Sequence, residues 1–312
     1  MKKYSKVLSL ALAFVMLFAL CACGAAETPA AEPTAVPAAD APASESPAET
    51  EAPAESQGVL DQIKADGVLY VTLSPDFAPM EFVDSSKDGQ EQYVGFDVTL
   101  AKYIADCIGV DLVIEPMSFD ACQTAVYTGS VPMSISGYSW TEERSENYEI
   151  SDYYYAGENE TEQVILIKKT DADKYTSAED FSGVDVGAQN ASLQMNLLTS
   201  QLPDANPITI GDLGVGVLEL QNGSIEALAV AKGNAEMILD SNPDLMICSW
   251  EFEVAAEYEA NVILITKGET ALLNVVNEAL AKAYADGLYG TWYEDAVALA
   301  KSENAAEVSV ED

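Results

Sequence analysis

Apolar positions along the chain fall into short runs divided by amphipathic stretches. The spacing predicts a short helix capped by Ser56, with Leu60 and Ile63 inward and an end at Gly67. Val68 to Leu73 follows as a buried strand, and residues 81–94 read as a hairpin around the polar stretch from Asp84 to Gly89. From Asp97, the positions Leu100, Ile104, Cys107 and Ile108 mark one helical face. Strand 111–115, helix 118–128, strand 131–136 and a helix start near Thr141 come next, then a strongly apolar strand over 163–168. The alternation restarts with strand 184–188, helix 191–201, strand 207–210, helix 212–221, strand 225–230 and helix 233–240. Asn261 to Lys267 forms a second isolated apolar strand, and helices 269–286 and 290–301 complete the pattern. Strands separated by helical runs predict an α/β protein with mainly parallel sheets covered on both faces. Two such runs, divided by lone strands near 165 and 264, predict two lobes joined by a double crossover.

Both ends of the chain depart from that alternation. Lys2, Lys3 and Lys6 precede an apolar run of 14 residues, Val7 to Leu20, broken only by Ser9. A basic stretch followed by an apolar segment of that length is an export signal, and it is short for a membrane span. It ends in Leu20-Cys21-Ala22-Cys23-Gly24. Residues 24–56 then hold 12 Ala, 6 Pro and 7 acids with no Lys or Arg, too little apolar surface to offset the entropy of ordering them. Proline and like charges extend such a segment, so it reads as a tether. The acidic tail, 303–312, reads as loose.

Charge and composition narrow the functions. The 312 residues carry 52 Asp+Glu against 14 Lys+Arg and no His, a formal net charge of -38. A surface this acidic repels phosphate backbones, so no nucleic-acid partner is expected. Without His there is no Ser-His-Asp or Cys-His couple and no imidazole-ligated zinc. No metal set, cofactor fingerprint or P-loop is present, and no carboxylate pair stands out as catalytic. Cys107, Cys122 and Cys248 are an odd number without CxxC spacing. A 107–122 bridge is conceivable; three buried thiols acting as small apolar residues is the simpler expectation.

Six stretches carry a resemblance: GVLYVTLSPDFAPMEF (67–82), GFDVTLAKYIA (95–105), SISGYSWTEER (134–144), VGAQNASLQ (186–194), LQNGSIEALAV (220–230) and KGETALLNVVNEAL (267–280). Their order resembles that of family 3 extracellular solute-binding proteins, the amino-acid-type binding proteins of ABC importers. The segment ending at Cys23 likewise resembles the lipobox of bacterial lipoproteins. The resemblance implies a two-lobe clamshell of the periplasmic-binding-protein-like II type with two crossing hinge strands. Lobe 1 would comprise 57–162 plus 268–302, and lobe 2 with the hinge strands 163–267. Residues 1–22 would be removed and Cys23 would carry the acyl chains that anchor residues 23–56 to the cell membrane.

The resemblance also implies a pocket. Arg144 ends the T-x-x-R stretch and would clamp a ligand carboxylate, a role that suits a bidentate, always-charged guanidinium. Ser139 and Thr141 match positions that offer backbone and hydroxyl groups to the same ligand, with Gly137 beside them. Ser192 corresponds to a small hydroxyl residue opening a lobe 2 helix, a place that attracts anions and also a place for an ordinary cap. Phe77 matches an aromatic that stacks on the ligand side chain, and Tyr138 and Trp140 either complete that wall or pack in the core. Many relatives place an Asp for the ligand ammonium where this chain has Ala231, followed by Lys232. Glu226, Asp212 or Glu251 would then replace it, or the ligand is an acid lacking an amino group that Lys232 contacts, or Lys232 simply opens a surface helix.

The function expected is that of a monomeric, lipid-anchored, extracytoplasmic binding protein, not an enzyme. It would close on a small carboxylate-bearing solute, foremost a polar amino acid, and deliver it to a membrane permease. The alternatives are a binding protein for a non-amino-acid organic acid or a quaternary amine, or a cyclohexadienyl-dehydratase-like enzyme on the same fold.

Overall fold

The computed structural model describes residues 58–155, 157, 161–258, 260–302 and 305–306. The export signal, Cys23, the tether and most of the acidic tail lie outside the described residues. In chain order the first half contains α1 Val59–Asp66, β1 Val68–Leu73, β2 Asp76–Phe77, β3 Glu81–Asp84, β4 Tyr93–Val94, α2 Phe96–Ile108, β5 Asp111–Pro116, α3 Phe119–Tyr127, β6 Met133–Ser139, α4 Glu142–Asn147 and β7 Glu149–Ile150. The second half contains β8 Gln163–Lys168, β9 Asp185–Gln189, α5 Leu193–Gln201, β10 Asn206–Ile210, α6 Leu213–Asn222, β11 Ala227–Ala231, α7 Lys232–Ser241, β12 Leu245–Ile247, β13 Asn261–Ile265, α8 Thr270–Ala285, α9 Leu288–Ala300 and β14 Ala305–Ala306.

Two five-stranded sheets are built on one plan. The first runs β5-β1-β6-β13-β7 and the second β10-β9-β11-β8-β12. In each, three strands are parallel: β1 pairs with β5 and β6, and β9 pairs with β10 and β11. The fourth strand lies antiparallel and has come from the other lobe: β13 beside β6, β8 beside β11. The two lone apolar strands of the sequence are therefore the crossing strands. β13 sits inside the sheet of lobe 1, so that sheet extends past the expected lobe boundary at 268. Alternation within these strands explains why they are apolar at nearly every position. Ile263 and Ile265 of β13 face the main core of lobe 1, while Val262 and Leu264 face a second cluster with Phe119, Cys122 and Tyr138. In β8, Ile165 and Ile167 face one side of lobe 2, and Val164 and Leu166 face the other.

A small antiparallel sheet of β2, β3, β4 and β14 sits at one end of lobe 1. The hairpin expected over 81–94 is β3 paired with β4. Ala305 and Ala306, expected in a loose tail, pair with Asp84 and Val83 of β3. The first helix begins at Val59, whose N–H donates to Glu269 Oε2 at 3.1 Å, so a distant carboxylate holds this helix start. Cys107 lies on the exposed side of α2, which corrects its place in the inward stripe; Cys107, Cys122 and Cys248 are all free thiols. No helix among the described residues is long and apolar enough to cross a membrane.

Candidate functional site

The C-terminal ends of the parallel strands in both lobes converge on one cleft, where doubly wound sheets place their ligands. Asp76, Phe77, Phe119, Ser136, Gly137, Ser139 and Arg144 line it from lobe 1, together with Asn261 of β13. Gln163, Gln189, Leu193, Gln194 and Ala231 line it from lobe 2, around about 500 Å³ of space that includes the solvent at its mouth.

Arg144 is buried in the first turn of α4, where Thr141 caps the helix by accepting the Arg144 N–H at 3.1 Å. Its guanidinium lies 5.1 Å from the Tyr138 ring centroid and 5.8 Å from that of Phe119. Nη1 donates to the Ser139 carbonyl at 2.7 Å, Nη2 to the Ala191 carbonyl of lobe 2 at 2.9 Å, and Nε to Gln123 Oε1 at 3.3 Å. All three acceptors are neutral. Among the described residues no carboxylate forms an ion pair with it. Burial pushes its pKa down, yet a guanidinium stays charged. The cleft wall therefore holds a desolvated cation without a protein counter-ion.

Several residues expected in the pocket have side chains elsewhere. Successive residues of β6 point to opposite faces, so Tyr138 lies under Arg144 with its hydroxyl 2.8 Å from Ser134 Oγ, fully buried. Trp140 packs beside that same cluster. Thr141 and Ser192 act as helix caps, Ser192 Oγ accepting the Met195 N–H at 3.0 Å. Lys232 points away and pairs with Glu162 at 2.6 Å. Gly137, Ser139, Phe77 and Ala231 do line the cleft. Gly137 has φ +57°, and a Cβ there would stand 3.1 Å from the Phe77 ring, so glycine lets that ring lie against the strand. None of the three acids considered for an ammonium lines the cleft. Glu226 accepts the Asp185 N–H, Asp212 caps α6, and Glu251 is exposed.

The carboxylate that does line the cleft is Asp76, inside a quoted stretch yet not singled out. Burial pushes its carboxyl up to about 7, against the hydrogen bonds it accepts. Gln163 and Asn261 were also missed, although each is the polar first residue of a mostly apolar crossing strand. Asn261 Nδ2 is buried without an acceptor. Behind Ser136 and Gly137 lies a second acidic group. Ser136 Oγ donates to Glu81 Oε1 at 2.5 Å, and Gly137 N–H to Asp97 Oδ2 at 2.9 Å. Glu81 and Asp97 are fully buried, and their remaining oxygens meet no other donor. Burial, and for Glu81 also the charge of Asp97, raises both carboxyls above the ordinary range. Among the described residues no cluster could hold a metal ion.

Comparisons place this geometry among known proteins. The family model for bacterial extracellular solute-binding proteins, family 3, matches residues 69–296. A probable histidine-binding protein of Campylobacter jejuni is 26% identical over 72% of this chain and 82% of its own length. The arginine-binding extracellular protein ArtP of Bacillus subtilis is 28% identical over 70% of this chain and 82% of its own. An amino acid ABC transporter substrate-binding protein from Streptococcus pneumoniae, solved bound to L-arginine, superposes with a TM-score of 0.71 at 31% identity, covering 81% of this chain and all of that one. Each of these relatives is named as a binding protein, and the pneumococcal one as the substrate-binding protein of an ABC transporter. With two lobes of one sheet plan, a cleft between them and a family match over most of its length, the chain is a member of the family 3 bacterial extracellular solute-binding proteins.

Proposed function

We propose that this protein captures a small α-amino acid between its lobes, binding the ligand carboxylate at Arg144, and delivers it to an ABC permease. The observation that carries the reading is the buried Arg144 guanidinium, held only by neutral acceptors on the cleft wall. A planar carboxylate supplies the missing charge in bidentate geometry. The buried Nδ2 of Asn261 offers another donor to the same kind of ligand. Side-chain amide oxygens of the cleft receive the ammonium. Relatives named for arginine and histidine support the amino-acid class. Acyl chains on Cys23 and the tether would keep a monomeric head outside the cytoplasmic membrane and close to its permease.

A second reading has one observation in its favour. Position 231 is Ala, and the Asp76 oxygens already accept three hydrogen bonds from the protein, which suits an organic acid without an amino group. A thermal-shift screen of the chain separates the two, with the common amino acids, their deaminated analogues, dicarboxylates and quaternary amines. Ligand at 100 times Kd adds about 2.7 kcal/mol of stability, a shift of several degrees. Stabilisation by an amino acid that its deaminated analogue does not reproduce supports the first reading. Stabilisation confined to acids lacking nitrogen replaces it with the second.

A further inference from the structure

Asp76 belongs to lobe 1, yet two of its three hydrogen-bond donors belong to lobe 2. Oδ1 accepts from Ser74 Oγ at 2.7 Å, within its own strand connection. Oδ2 accepts from Gln189 Nε2 at 2.9 Å and from the Leu213 N–H at 2.8 Å. Leu213 is the first residue of α6, whose opening amides have no partner inside the helix. Asp212 caps the same helix by accepting the Val215 N–H at 2.9 Å. Two carboxylates, one from each lobe, therefore share one helix N-terminus. Its partial positive charge offsets part of their repulsion.

From this geometry we infer that Asp76 is the closure latch of the clamshell: a lobe 1 carboxylate whose seat is the α6 N-terminus and Gln189 of lobe 2. The seat exists only when the lobes are together. On opening, the Leu213 N–H and the carboxylate both return to water. These two hydrogen bonds are made in the closed form alone, so they bias the hinge toward closure. A latch acts on every ligand alike, because it stabilises the closed form and not a particular solute. The cleft thus gains affinity from a contact the ligand does not make. Two further bonds cross nearby, Asn190 Nδ2 to Asp120 Oδ2 at 2.9 Å and Arg144 to the Ala191 carbonyl, so the 189–191 segment meets lobe 1 at each residue.

Residue-resolved hydrogen exchange on the full chain, without added ligand, tests the latch. A first-turn helix amide exchanges fast unless something outside the helix receives it, so Leu213 reports on Asp76 directly. In the wild type its amide should be protected, and Asp76→Ala should speed its exchange at least about tenfold. Small-angle scattering should show the variant more extended than the wild type. Gln189→Met removes one donor at similar size, and it should also shift the scattering if Asp76→Ala does not fold. Equal Leu213 exchange in wild type and variant, or unchanged scattering in both variants, overturns the latch. The ligand arm rests on the binding-protein reading, whereas exchange and scattering do not. Titrating Asp76→Asn with L-arginine and L-glutamine should weaken both by the same factor, about tenfold. Loss for L-arginine alone would make Asp76 a ligand contact and overturn the inference.

Discussion

Arg144 sits where a buried cation costs stability, on the wall of the cleft. Its three acceptors are neutral, so its desolvation is offset by hydrogen bonds and by the Tyr138 and Phe119 faces without a protein ion pair. Arg144→Met should therefore abolish carboxylate binding, by about 100-fold or more in Kd, while leaving Tm unchanged or higher. Calorimetric titration and a melting curve on one sample check both halves; a large drop in Tm would mean that the arginine is structural. Arg144 was legible because the residues around it form a recognisable stretch. The directions of its neighbours were not. Tyr138 follows Gly137 on a strand, so it must face away, but only the strand's position in the sheet tells which face is the cleft. At the same scale, Cys107 is exposed while Cys122 and Cys248 are buried, with burial raising their thiols to about 12 and about 11. Among these three, a thiol reagent on native protein should modify Cys107 alone, as peptide mapping would show.

At the scale of elements, the alternation of strands and helices was readable because each long element shows its period many times. The crossing strands were readable for another reason: burial on both faces makes them apolar throughout. β2, β7 and β12 were not expected, since strands of two or three residues are too short to show alternation. β2 matters most, because it carries Asp76 and Phe77. The entry to α2 illustrates a constraint seen only in three dimensions. Gly95 has φ +121°, and a Cβ there would lie 2.3 Å from the Met80 carbonyl oxygen. Gly95→Ala combines backbone strain with a backbone clash and should cost about 3 kcal/mol, or roughly 5–10 °C in Tm. A melting temperature within a degree or two of wild type would show that the β3–α2 region yields easily.

For the molecule as a whole, the dense negative charge is not confined to the surface. Glu81 and Asp97 meet inside lobe 1, with the Asp76 charge nearby and the Tyr154 hydroxyl donating to Asp97 at 3.0 Å. Both carboxyls have folded values raised above 4.5 and 3.8, so the folded protein keeps protons that the unfolded chain releases near pH 4. The stability they contribute is full in acid and is lost as pH rises through their folded values. Stability should fall from about pH 5 to about pH 8, and Glu81→Gln should flatten that fall by up to about 1.4 kcal/mol per pH unit. Denaturant melts at several pH values provide the comparison, and parallel profiles for wild type and variant would show that Glu81 keeps an ordinary carboxyl.

The sheet order also decides when each half of the protein can exist. Every strand of the second sheet comes from one continuous stretch, Gln163 to Ile247. The first sheet instead keeps an interior place for β13, and β7 joins it only through that strand. A chain emerging from its N-terminus therefore carries a first half that stays incomplete until residue 265 has appeared, with the open edge of β6 waiting for its partner. The middle of the chain is able to settle first, and the beginning settles last.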